Sequence, residues 1–118
     1  MSRKKSIATM YTFIDAGAKA QILYRVFIDL LDCTGRLNVP TKQVDSLMNL
    51  LTRYSYHKAK FDTLLFTQHP ELGHDGCHVF YADICGKPRD EIEAWVKAAA
   101  HEYLKGLLAK IEEGEQQR

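Results

Sequence analysis

Apolar side chains recur every three or four residues along most of the chain, and this spacing constrains the fold more than any other feature. In the first third, the apolar positions are Ile7, Met10, Tyr11, Ile14, Ala18, Ile22, Val26, Leu30 and Cys33. Steps of three and four place side chains on one face of an α-helix. The pattern predicts a helix over residues 6–32. Gly17 permits a break near Asp15, which could then cap a second segment.

Two further runs have the same helical period. The second run comprises Val44, Leu47, Leu51, Tyr54, Lys58, Phe61 and Leu65. It predicts either one helix over residues 40–67 or two shorter helices separated near residues 52–55. The third run comprises Ile92, Trp95, Val96, Ala99, Tyr103, Leu107 and Ile111. It predicts a helix over residues 88–113 with Pro88 at its first position, where proline is favoured.

The segment between the second and third runs, residues 68–87, does not follow the helical period. Pro70, Gly73 and Gly76 punctuate it. Residues 78–84 contain valine, phenylalanine, tyrosine and isoleucine, which favour a short strand. A lone strand is unstable, so it would pair with residues 64–68 or with another subunit.

Together these patterns predict a mostly α fold. We expect one domain over residues 6–113, a bundle of three or four amphipathic helices. A short β element or irregular loop at about residues 68–87 precedes the C-terminal helix. Residues 1–5, which are polar and basic, and residues 114–118 are predicted to be disordered.

Composition narrows the classes of function. The 118 residues include 16 Lys and Arg against 15 Asp and Glu, giving a net charge of +1. A protein that mainly grips a phosphate backbone usually has a clear basic excess. Three cysteines cannot all pair within one chain, and the sequence shows no secretory leader pattern and no apolar stretch of about 20 residues. We therefore expect a cytoplasmic protein with free thiols and no membrane contact.

The segment before the last helix contains side chains of the zinc-ligand type. These are His69, His74, Cys77 and Cys85. Zinc sites use four nitrogen or sulfur donors that come as closely spaced pairs. The spacing H-x₄-H-x₂-C-H-x₆-C matches no standard zinc finger. We expect a polar loop without a cofactor, with structural zinc as the alternative.

Signals for catalysis are weak. A catalytic cysteine needs an electropositive setting and an orienting partner. Cys77 beside His78 and Cys85 near Asp83 are the nearest approach to such a pair. The sequence contains no phosphate loop, nucleophile elbow or paired metal-ligand motif. We therefore expect a protein that is not an enzyme.

A basic and aromatic stretch at residues 53–61 supports an alternative function. Its basic side chains are Arg53, His57, Lys58 and Lys60. If residues 41–66 formed a helix-turn-helix with the turn at residues 52–55, His57, Lys58 and Lys60 would face the major groove of DNA. The competing interpretation places the aromatic residues in the core and the lysines on a solvated face, and the near-zero net charge favours it.

Apolar residues near both ends of the chain exceed what one small bundle can bury. Met10, Tyr11, Ile14 and Trp95 are therefore expected at an interface, where a second copy would cover them. The leading hypothesis is a small regulatory or interaction protein that acts through protein–protein contacts as a homodimer. The alternative is a DNA-binding regulator.

Overall fold

The computed structural model describes residues 9–116, and its long helices confirm the mostly α fold. Helix α1 spans Met10–Arg36, α2 spans Thr41–Gln68 and α3 spans Glu91–Gln116. A 3₁₀ helix over Pro70–His78 follows α2, and residues 79–90 form an irregular connection to α3. The residues of the predicted first helix that precede Thr9 lie outside the described part of the chain.

Helix α1 is continuous, so the predicted break near Asp15 is wrong. Gly17 has a packing role here. A Cβ atom built on Gly17 would lie 2.1 Å from the carbonyl oxygen of Val79, so only glycine lets the connection approach the helix this closely. The packing gained at this point offsets the roughly 1 kcal/mol that a glycine costs inside a helix.

Helix α2 is also continuous, so the single-helix alternative is correct. The helix-turn-helix interpretation of residues 41–66 is wrong as a structure, because the predicted turn at residues 52–55 lies inside the helix. No proline or glycine interrupts this stretch. The hydroxyl of Thr52 donates to the Met48 carbonyl at 3.2 Å, so a residue of the predicted turn is bonded to the preceding helical turn.

The predicted strand over residues 78–84 is wrong, and the irregular-loop alternative is correct. The described residues contain no strand, and residues 64–68, the expected partner, remain in α2. Val79 and Phe80 are 0% and 1% exposed. The ring of Phe80 contacts those of Phe13 and Phe61, with centroids 6.4 and 6.0 Å apart. The apolar residues that favour a strand in the sequence instead fill the space between the helices.

Helix α3 begins later than predicted and ends later. The Oδ1 atom of Asp90 accepts a hydrogen bond from the Glu93 amide at 2.8 Å, which makes Asp90 the N-cap and leaves Pro88 outside the helix. At the other end α3 continues through Gly114 to Gln116. The start of the predicted tail is therefore helical, while residues 117–118 and the predicted disordered residues 1–5 are outside the described range.

The hydrophobic core lies where the first half of α1, the end of α2, the connection and the first half of α3 meet. Its residues are Phe13, Ile14, Ala18, Ala20, Leu65, Val79, Phe80, Ala82, Ile92, Val96 and Ala100. The radius of gyration is 17.1 Å, whereas a compact domain of this length has about 13.5 Å. The helix ends therefore extend beyond the core. No helix among the described residues is both long and apolar enough to cross a membrane.

Candidate functional site

A groove of about 680 Å³ lies between the first turns of α1 and the middle of α3. All four residues predicted at an interface line it: Met10, Tyr11, Ile14 and Trp95. Ile14 is 8% exposed and belongs to the core, while Tyr11 and Trp95 expose 82% and 46% of their surface. The structure therefore brings the predicted residues together in one apolar groove.

The edge of this groove is polar. Asp15 and Glu102 line it beside Tyr103. The ammonium of Lys19 bonds to the Asp15 carboxylate at 2.8 Å and lies 5.3 Å from the centroid of the Tyr103 ring. An apolar centre with a polar rim is the usual arrangement of a protein–protein interface.

Helix α3 continues past the groove as an exposed arm, which we call the α3 arm and define as residues 101–115. Every residue in it is exposed. Its large apolar residues expose between 39% and 60% of their surface and are Tyr103, Leu104, Leu107, Leu108 and Ile111. Their spacing places Leu104, Leu107 and Ile111 on one side of the helix. A helical segment of this length is marginal in water when it stands alone, so packing by another element would stabilise the arm.

The basic residues of α2 have two different environments. Arg53, His57 and Lys60 are exposed, and the Lys60 ammonium lies 4.5 Å from the centroid of the Tyr56 ring. Lys58, in contrast, is 5% exposed. Its predicted position facing a DNA groove and the solvated-face alternative are both wrong, because residue 58 lies on the stripe of α2 that faces the core.

The Lys58 side chain lies between two tyrosine rings. Its Nζ atom is 4.4 Å from the ring centroid of Tyr24 in α1 and 4.7 Å from that of Tyr81 in the connection. Such cation–π contacts compensate part of the hydration that the ammonium loses. Burial lowers the pKa of Lys58. These three side chains line a second groove of about 560 Å³, the Lys58 pocket.

The donor atoms of the four predicted zinc ligands do not converge in the described part of the chain. His69 contacts a Glu71 oxygen at 3.1 Å, and the His74 ring packs against that of His78 with centroids 6.4 Å apart. Cys77 and Cys85 are free thiols, and burial raises the pKa of Cys77. No three of the predicted ligands bring donor atoms within 4.8 Å of one another.

A different set does converge. Single ligand atoms of Asp75, His78 and Asp90 lie within 4.8 Å of one another. The Asp90 carboxylate is already engaged, since it caps α3 and also contacts the Nδ1 atom of His78. Two carboxylates and one imidazole do not match the four nitrogen or sulfur donors of structural zinc. Spacing along the sequence could not identify this set, because Asp90 lies outside the His- and Cys-rich segment.

Glu93 is a buried carboxylate that the sequence analysis missed. It is 0% exposed and accepts hydrogen bonds from the backbone amides of Asp83 and Arg89 at 2.9 and 2.7 Å. The Arg89 guanidinium bonds to it at 2.5 Å. The Arg89 guanidinium and then the amides hold the pKa of Glu93 at about 2, against an ordinary 4.5. Both of its oxygens are occupied, so Glu93 anchors the connection to α3. The spacing of four residues between Arg89 and Glu93 was the available signal.

Two of the surfaces without a partner in the described chain are the α1–α3 groove with the α3 arm and the Lys58 pocket. Neither a family model, nor a curated protein, nor a solved structure matches the chain. Function must consequently be inferred from these surfaces.

Proposed function

We propose that this protein is a small, non-enzymatic regulatory or interaction protein that acts through protein–protein contacts. We further propose that it assembles as a homodimer through the α1–α3 groove and the α3 arm. The α3 arm is the observation that carries the proposal, because a fully exposed half-helix with five large apolar residues is unfavourable in water.

The exposed apolar area supports an interface of ordinary size. Tyr11, Trp95 and the five large residues of the α3 arm expose between 39% and 82% of their surface. At about 200 Å² for a fully exposed large side chain, they present roughly 700 Å² per protomer. A standard interface takes about 800 Å² from each partner, and monomers rarely expose more than a few hundred Å² in one patch.

A second copy fits this surface better than a highly charged partner does. In a twofold dimer, the same surface is used by both subunits, so the arm and groove of one copy can face those of the other. The arm carries Lys105 and Lys110 together with several glutamates, and the whole chain has a net charge of +1. Two copies therefore meet without strong electrostatic repulsion.

The proposed location is the cytoplasm. The described chain contains three cysteines, all of them free. Free thiols persist where the compartment is reducing. Dimerisation through apolar contacts uses none of these thiols.

Light scattering coupled to size exclusion tests the proposal. The wild-type chain should elute as a species of twice 13.5 kDa. Leu107→Glu combined with Ile111→Glu should give a monomer, because two charges would be buried in the interface. The matched control is Leu37→Glu, which changes a residue that is 70% exposed beyond the end of α1 and should leave the dimer intact.

Salt and circular dichroism complete this experiment. The dimer affinity should change little between low and high salt, and the helical signal at 222 nm should show that each variant is folded. A wild-type monomer at high protein concentration, or an arm variant that stays dimeric, would contradict the proposal.

Nucleic-acid binding is the alternative function, supported by the exposed side chains Arg53, His57 and Lys60 on α2. Tyr56, which is 62% exposed, lies beside them and could stack on a base. This alternative predicts binding that weakens steeply with salt and is lost in an Arg53→Glu/Lys60→Glu variant. Binding that the double variant retains would exclude this patch.

A further inference from the structure

Lys58 is a buried cation whose hydrogen-bonding capacity is unused. Among the described residues, its ammonium has no hydrogen bond and no ion pair, and its contacts are the faces of Tyr24 and Tyr81. An ammonium has three N–H donors, and ring faces do not replace strong acceptors. The side chain is 5% exposed, so bulk water cannot fully compensate. Burial of the ammonium lowers the pKa of Lys58.

The carboxylate nearest along the helix does not neutralise Lys58. Asp62 lies one turn further along α2, yet no Asp62 oxygen comes within 4.0 Å of the Lys58 ammonium. Its Oδ1 atom is buried and has no hydrogen-bond partner, and burial raises the pKa of Asp62. The described residues therefore offer no anionic acceptor to the Lys58 ammonium.

The other polar groups of the Lys58 pocket are mostly engaged. The Gln21 amide donates to the Ala82 carbonyl at 2.6 Å, and Asp83 Oδ1 accepts from the amides of Cys85 and Gly86. The hydroxyl of Ser55 also lines the pocket and has no hydrogen bond among the described residues. Lys58 and Ser55 are thus donors of the lining without a bond in the described part of the chain, as are the hydroxyls of Tyr24 and Tyr81.

The remaining lining suits a small organic body. Tyr24, Tyr81, Ile28 and Ile84 supply apolar walls. A volume of about 560 Å³ falls in the range of small-molecule sites. Arg25 adds a positive charge at the edge and is paired with Asp29 at 3.5 Å. Asp83 supplies a negative charge in the lining, but its Oδ1 atom is held by the amides of Cys85 and Gly86, so Lys58 is the cation of the lining without a carboxylate partner in the described chain.

We propose that the Lys58 pocket binds a small organic carboxylate, with the carboxylate on Lys58 and Ser55 and the apolar part between the tyrosine rings and the isoleucines. One ammonium without a carboxylate partner matches a singly charged carboxylate. The apolar walls of Ile28 and Ile84 favour an organic acid over inorganic phosphate, which has no apolar part to place against them. The site is independent of the proposed dimer, since none of its lining residues lines the α1–α3 groove.

Titration of the full-length protein with benzoate tests this site, followed by two-dimensional amide NMR spectra. Benzoate at millimolar concentrations should give saturable shifts confined to the pocket. Benzamide, which has the same shape without the charge, and inorganic phosphate should not. Equal shifts with benzamide, or saturation by phosphate but not by benzoate, would overturn the carboxylate assignment.

Two lysine substitutions distinguish a direct contact between Lys58 and benzoate from a general effect of positive charge. Lys58→Met keeps the apolar stem and removes the ammonium, and it should weaken benzoate binding by about tenfold or more. Lys60→Met, an exposed lysine on the same helix, is the matched control and should leave binding unchanged.

A second variant does not depend on replacing a buried residue. Ser55→Ala changes an exposed hydroxyl and should weaken benzoate binding by about threefold, in line with the loss of one hydrogen bond. Wild-type protein without saturable benzoate shifts, or equal affinities in wild type and both variants, would refute the site.

Discussion

Glu93→Gln should remove a large part of the acid dependence of stability. Glu93 is buried, and its carboxylate joins Arg89 to the backbone of the connection. The Arg89 side chain is 55% exposed, so the substitution does not leave its charge buried and unpaired. The substitution therefore measures the contribution of the Glu93 carboxylate, and not the cost of leaving the Arg89 charge buried without a partner.

The magnitude follows from the pKa of Glu93, which is about 2 in the folded chain against an ordinary 4.5. Folding lowers this pKa, so the folded state favours the ionised form. The resulting stability is complete above about pH 5 and is lost as the pH falls through 4.5 toward 2. At about 1.4 kcal/mol per pKa unit, the difference between a pKa of 4.5 and one of about 2 corresponds to about 3 kcal/mol of unfolding free energy.

Urea unfolding followed by circular dichroism measures this effect, at one fixed protein concentration because a dimer would make stability depend on concentration. At about pH 6 the variant should be less stable than wild type by about 3 kcal/mol. Near pH 3 this difference should shrink to about 1 kcal/mol. Glu113→Gln, an exposed glutamate on the same helix, is the control and should have little effect. If Glu93→Gln lowered the unfolding free energy by the same amount at both pH values, the reasoning would be refuted.

Three further substitutions test packing and hydrogen bonding and are checked by the same urea assay. Gly17→Ala should destabilise the fold by about 3 kcal/mol or more, because its Cβ meets the Val79 carbonyl oxygen at 2.1 Å. Gly106→Ala, with nothing within 4 Å, should instead stabilise the chain by about 0.5–1 kcal/mol. If both alanine substitutions changed stability equally, the close approach of the Val79 carbonyl to Gly17 would be excluded. Tyr54→Phe removes a hydrogen bond of 2.5 Å to the Ala20 carbonyl and should cost about 1 kcal/mol, and no loss would mean that the bond is not formed.

The helices could be predicted from the sequence because their apolar period is regular over many turns. The groove residues could be predicted for a related reason, since Met10, Ile14 and Trp95 lie on stripes that continue beyond what a small core can cover. Helix ends were less predictable. Asp90 caps α3 and Pro88 lies outside the helix rather than at its first position, because the start is decided by which side chain reaches a free amide.

The environment of single residues could not be predicted from the pattern. Lys58 occupies a core-facing position, and its burial depends on two tyrosines that come from other elements. Val79 and Phe80 have strand-forming side chains, yet the gap between three helices decides their conformation. The role of Gly17 likewise becomes clear only from its close contact with the backbone of Val79. These outcomes depend on contacts between residues far apart in the sequence, which periodicity does not report.

Helix α1 determines how the two candidate surfaces relate. Met10 and Ile14 lie in the α1–α3 groove, whereas Tyr24 and Ile28 line the Lys58 pocket. At a rise of 1.5 Å per residue, the nearest lining residues of the two surfaces on this helix, Asp15 and Gln21, are about 9 Å apart along it. Sites this far apart with no shared lining residue behave nearly additively. A second copy seated on the groove therefore leaves the pocket open, and a ligand in the pocket can coexist with the dimer.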